Sequence, residues 1–240
     1  PCAGGPRDIV IDGQRMGAVT LAERAAFRRG TRGDWSPAGC PPAGKRHGCS
    51  GPIGDLFHDD VILVTGTTGT DEETFFLDNL AVDAGNHCRT FNGGVHRGGI
   101  RGENHVDLKR SKDVELTAET RRNGNLLLYG TPRTNAVLAL FEDRLPLRFE
   151  DGAIRLGDKT FRGKAAAVFA VFPHPENPAR CVAVHGGLTP DAIAWGSHLH
   201  MHLLPDYIAY DGGLLLDWGF WDSEWKPQAI GNSIRRATAR

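Results

Sequence analysis

Two short apolar runs limit what this chain of 240 residues can fold into. Val61-Ile-Leu-Val-Thr65 and Asn125-Leu-Leu-Leu-Tyr129 both lack the polar alternation of a strand with one wet face. Each runs into a small, polar loop, Gly66-Thr-Thr-Gly-Thr70 or Gly130-Thr-Pro-Arg-Thr-Asn135, and then into a helix start, at Asp71-Glu72-Glu73 or at Ala136. Continuous apolar runs mark strands buried on both faces, and strand-loop-helix units are the building blocks of parallel sheets. Residues 165–172 and 181–185 add two more buried strands, and 147–161 reads as a hairpin with turns at Glu150-Asp-Gly152 and Gly157-Asp158. Residues 206–211 and 214–218 close the chain around Gly212-Gly213. The pattern predicts an α/β fold over residues 45–240, a three-layer Rossmann-like or flavodoxin-like sandwich with a mostly parallel sheet. Residues 1–44 are expected to form an N-terminal extended or β appendage and linker.

Charge narrows the partners. Lys and Arg total 28 against 29 Asp and Glu, a net charge of -1, so no global field recruits nucleic acid or an anionic membrane. Arg97, Arg101, Lys109, Arg110 and Lys112 form a basic stretch with few aromatics, which reads as a solvated face. No apolar run reaches membrane-spanning length. A small-molecule substrate, other domains of a larger parent protein or a homo-oligomer are the expected partners. The start at Pro1-Cys2, without Met or signal-peptide pattern, reads as a fragment or processed chain. Five scattered cysteines show no paired ligand spacing; Cys40 and Cys49 could bridge in an oxidising, secreted or periplasmic setting.

Chemistry has two candidate addresses. Ser197-His-Leu-His-Met-His202 places His198, His200 and His202 at alternate positions. Thr189 as N-cap and Pro190 at the first position predict a helix over 190–201, which would set His198 and His202 one turn apart and His200 outside the pair. Completed by His96, His105 or Asp206, the cluster would hold a divalent transition metal, zinc by preference, whose bound hydroxide hydrolyses an ester or phosphoester. His200 would then be the third ligand or a proton shuttle. The second address is the crevice at the strand ends, with His174, His185, Arg133, Asn135 and Thr67, where helix-start N–H groups would receive an anionic or polar molecule. Glycines in Gly66-Thr-Thr-Gly-Thr70 fit a plain turn, since the P-loop and dinucleotide patterns are incomplete. No Gly-x-Ser-x-Gly elbow supplies a serine nucleophile.

The succession Gly51-Pro-Ile-Gly-Asp-Leu-Phe57, Val64-Thr-Gly-Thr67, Asn125-Leu-Leu-Leu-Tyr-Gly130, Asn135 and Leu204-Pro-Asp-Tyr207 resembles a C-terminal domain of large bacterial proteins of the prolyl-oligopeptidase-like, alpha/beta-hydrolase-associated type. The resemblance covers residues 45–225. It implies a Rossmann-like sandwich whose peptidase centre lies in a separate domain. Three functions follow: a metal-dependent hydrolase on the histidine cluster, a non-catalytic accessory or interaction domain from a larger secreted hydrolase, or a metal-free esterase using His174 or His185 as base.

Overall fold

The computed structural model describes residues 7–19, 26–38, 44–46, 49–58, 60–94, 108–198 and 205–227. The chain divides into two units, Pro1–Gly44 and Lys45–Arg240. The first contains two antiparallel hairpins, β1 (Arg7–Ile11) with β2 (Gln14–Val19) and β3 (Ala26–Arg29) with β4 (Trp35–Ala38). Asp12 and Gly13 turn the first hairpin at φ of 48° and 80°, the left-handed geometry that favours an Asp-Gly pair. The Gln14 amide ties the hairpins together, donating to the Trp35 carbonyl at 2.7 Å and accepting from its N–H at 2.6 Å. Among the described residues between 8 and 38 none is buried.

The second unit has, in chain order, strands β5 (Val61–Thr65), β6 (Lys109–Lys112), β7 (Asn125–Tyr129), β8 (Leu147–Glu150), β9 (Ala153–Leu156), β10 (Lys159–Arg162), β11 (Ala166–Pro173), β12 (Cys181–Gly187), β13 (Tyr207–Asp211) and β14 (Leu214–Gly219). Its helices are α1 (Asp71–Gly94), α2 (Ala118–Asn123), α3 (Ala136–Phe141) and α4 (Pro190–Ala194). One sheet runs β14-β13-β11-β12-β7-β5-β6, and a smaller one β10-β9-β8. Alternation along the central strands buries both faces. Leu126, Leu128, Val182 and Val184 pack with Phe141 of α3 and with Ile154 and Leu156 of the small sheet. Leu127, Ala183 and Phe169 pack on the other side with Leu77 and Ala81 of α1 and Ile193 of α4. Each such Leu, Ile, Val or Phe side chain contributes about 1.5–3 kcal/mol by leaving water.

The expected three-layer Rossmann-like or flavodoxin-like sandwich is not formed: the unit is rich in strand, its main sheet is mixed, and antiparallel hairpins recur through it. β6, β5, β7 and β12 are parallel, while β11, β13 and β14 run antiparallel to their neighbours. The link from β11 to β12 spans only His174 to Arg180, too short for the crossover of about a dozen residues that parallel neighbours need. The small antiparallel sheet then occupies much of the face that crossover helices would cover. Continuous burial, read from sequence as parallel pairing, is met equally by antiparallel strands covered on both sides.

Two local expectations also change. The helix after Thr189 ends at Ala194 and tightens into a 3-10 turn over Trp195–His198. Gly196 in that turn lies so close to His185 and the Tyr210 hydroxyl that a Cβ would overlap both. Cys49 pairs with Cys181, with Cα atoms 5.7 Å apart, while Cys40 lies outside the described residues.

Candidate functional site: the crevice between β7 and β12

The loop after β7 leads to α3 on one face of the sheet, and the loop after β12 leads to α4 on the other. Diverging connections of this kind open a crevice beyond the carboxyl ends of parallel strands. Here it encloses about 400 Å³, within the range of small-molecule sites. Two glycines permit the close approach of its walls. Gly130 takes φ of 114°, and a Cβ on Gly186 would strike the Gly130 carbonyl and the Phe149 ring.

The walls are tied by side chains whose polar atoms face inward. Buried Asp113, just past β6, accepts from the Thr67 N–H at 3.0 Å, the Thr67 hydroxyl at 2.5 Å, the Val114 N–H at 2.9 Å and the Ala136 N–H at 2.6 Å. Asn135 caps α3 by accepting from Val137 and Leu138, both at 3.1 Å, and donates to the Tyr129 carbonyl at 3.0 Å and the Val64 carbonyl at 3.3 Å. Thr189 caps α4, accepting from Ala192 at 3.3 Å. The helix-start N–H groups of Ala136, Val137, Leu138 and Ala192 are therefore already bonded within the protein.

Glu73 and Arg133 both line the cavity. Thr70 and Glu73 form a capping box at the start of α1, with Thr70 N–H to the Glu73 carboxylate at 2.9 Å and Glu73 N–H to the Thr70 hydroxyl at 3.2 Å. Arg133 adds a two-armed bond to the same carboxylate. Arg133 first, and the Thr70 N–H second, hold the Glu73 carboxyl below the usual carboxylate range. Asp113 and Glu73 escaped the sequence reading. Thr70-x-x-Glu73 carries a recognisable capping spacing, whereas Asp113 follows a Lys-Arg-Ser-Lys strand with no periodic signal.

The candidate histidines do not converge. His185 is buried in the helix-covered face, stacked on Phe169 with ring centroids 4.6 Å apart, its Nε2 2.7 Å from the Tyr210 hydroxyl. Burial pushes its pKa down to about 3, so the ring is neutral near pH 7. His174 lies at the opposite end of the sheet, because β11 runs antiparallel, and on the other face, edge-on to Phe141 at 5.2 Å. Its Nδ1 accepts from the Glu176 and Asn177 N–H groups at 3.0 and 3.2 Å, and its Nε2 donates to the Arg121 carbonyl at 2.9 Å. Desolvation lowers its pKa as well.

For the metal address, Asp206 is fully buried, ion-paired with Lys45, and accepts from the Trp221 N–H at 2.8 Å. Desolvation raises its pKa, opposed by Lys45. His96, His105, His200 and His202 lie outside the described residues, as does the side chain of His198. Among the described residues, no group of three or more His, Cys, Asp or Glu side chains is placed to hold a metal ion. No protein-family model matches the chain, and no curated protein matches it.

Proposed function

We propose that the 45–240 unit is a non-catalytic accessory domain that binds a small polar molecule in the crevice between β7 and β12, serving a larger hydrolase of the type its motif order resembles. The cavity of about 400 Å³ carries this reading. Asp113 and Asn135 brace its loops from behind and Thr189 caps α4 within the lining, which favours a preformed site, since pre-organised walls reduce the ordering cost of binding. A general base works best with a pKa near the working pH, and His185 at about 3 is far from that range. His174, with both ring nitrogens engaged at the other end of the sheet, is remote from the crevice.

The test is an NMR screen of polar fragments against the 240-residue chain, run beside turnover assays with nitrophenyl esters and phosphodiesters. Fragments are expected to shift amides in the loops at 130–134 and 187–190, with no turnover. Turnover abolished by a chelator and restored by zinc or manganese would overturn the proposal in favour of a metal-dependent hydrolase built on His198, His200 and His202.

A further inference from the structure

The charges around the cavity are uneven. Glu73, Glu142, Glu150 and Asp151 line it, against Arg133 as the one lining cation among the described residues. Arg133 is bonded to Glu73, so its charge is balanced within the wall. Glu150 meets Arg155 at 3.1 Å, in an exposed pair of little strength. Neither Glu142 nor Asp151 has an ion-pair partner among the described residues. A bound anion would meet a net negative field here, and a cation would be drawn in.

The same carboxylates are too dispersed for an inorganic ion. Calcium needs six to eight oxygens at about 2.3–2.6 Å, and the described acids do not gather in that way. The rest of the lining suits a larger body. Leu77, Phe149 and Ile193 are apolar and offer a surface against which an apolar body can leave water. Thr131 and Thr189 add hydroxyls that can accept from an N–H donor.

Resting on the crevice reading, we infer that the ligand is a small organic cation, an amine or guanidinium on an apolar body, selected by Glu142 and Asp151. The cationic head lies toward these two carboxylates and the body against Phe149 and Ile193. Selection is electrostatic and weakens as salt is raised.

The experiment is an NMR titration of the 240-residue chain at low ionic strength with benzylamine, benzyl alcohol, benzoate and calcium chloride. Benzylamine is expected to shift the amides at 130–134 and 187–190 and to bind at least about fivefold more tightly than the other three. In the Glu142→Gln, Asp151→Asn double variant its affinity should fall at least about fivefold, with melting temperature unchanged. Benzoate, benzyl alcohol or calcium binding in the crevice as tightly as benzylamine overturns the inference and leaves the crevice reading standing. Benzylamine affinity unchanged in the double variant has the same effect. No shift with any of the four probes sinks both.

Discussion

The two ends of the central sheet are built from similar residues and put them to different use. At the end where β7 and β12 finish, charged side chains of Glu73, Arg133 and Glu142 line an open cavity. At the end where they begin, polar groups close on one another. Asn125 bridges the Leu56 carbonyl at 3.1 Å and the Cys181 N–H at 3.0 Å, and Arg121 holds Glu176 through two bonds of 2.9 Å. His174, Asp206 and the Cys49–Cys181 bridge belong to this sealed end. The difference follows from strand direction. Because β11 runs against β12 and β13, His174, which looks like a strand-end ligand in a parallel reading, is delivered to the closed end, while Asp206 lies there because it precedes β13, which runs in the direction of β12.

The sharpest way to break the sealed end is to remove Lys45. Its partner Asp206 has a completely inaccessible side chain, and leaving that carboxylate without its cation should cost about 3–5 kcal/mol. Urea unfolding of Lys45→Ala measures it; a loss below about 1 kcal/mol would show that the pair does not hold this end. Next comes acid. The folded His185 ring stays neutral down to about pH 3, whereas in the unfolded chain it titrates near its ordinary value of about 6.5. Its contribution is complete above that value and is lost as pH falls, because the unfolded state takes up the proton first. By pH 5 the loss should be about 2 kcal/mol, at about 1.4 kcal/mol per pKa unit. His174, also shifted down, adds with the same sign. Unfolding of wild type and His185→Gln at pH 7 and pH 5 should give a shallower pH dependence in the variant; parallel curves would refute the assignment.

These two effects come from residues whose type was visible in sequence but whose setting was not. Apolar runs marked β5, β7, β11 and β12, because complete burial requires them whatever the strand direction. Direction itself has no such residue signature, and only the short His174–Arg180 link contained the information. β6 escaped because its Lys109, Arg110 and Lys112 guard an exposed sheet edge, where charge prevents further pairing and erases the periodicity. Thr189 and Asn135 were placed at helix starts by local chemistry that operates within a few residues, Thr189 read as a cap and Asn135 as the last residue before α3. Asp113 gathers donors from Thr67 and Ala136, 46 and 23 positions away, which no local pattern reports. In the same way Glu142 and Asp151 read as helix-end and turn residues, and only the fold brings them to one cavity.

Within the crevice, bracing and lining should separate in their effects. Asn135→Ala removes the cap of α3 and the tie between β5 and β7, and a loss of about 1–2 kcal/mol is expected for a cap of this kind. Arg133→Gln is the gentler change. The guanidinium side chain is 67% exposed, so its bond to Glu73 is screened and should contribute less than about 1 kcal/mol. Its loss leaves the Glu73 carboxylate without its balancing cation beside the cavity, and the site becomes more negative. The expected outcome is a melting temperature close to wild type together with tighter benzylamine binding by NMR titration. Weaker binding in Arg133→Gln would mean that the guanidinium itself contacts the ligand, and the charge ordering drawn for this end of the sheet would have to be reversed.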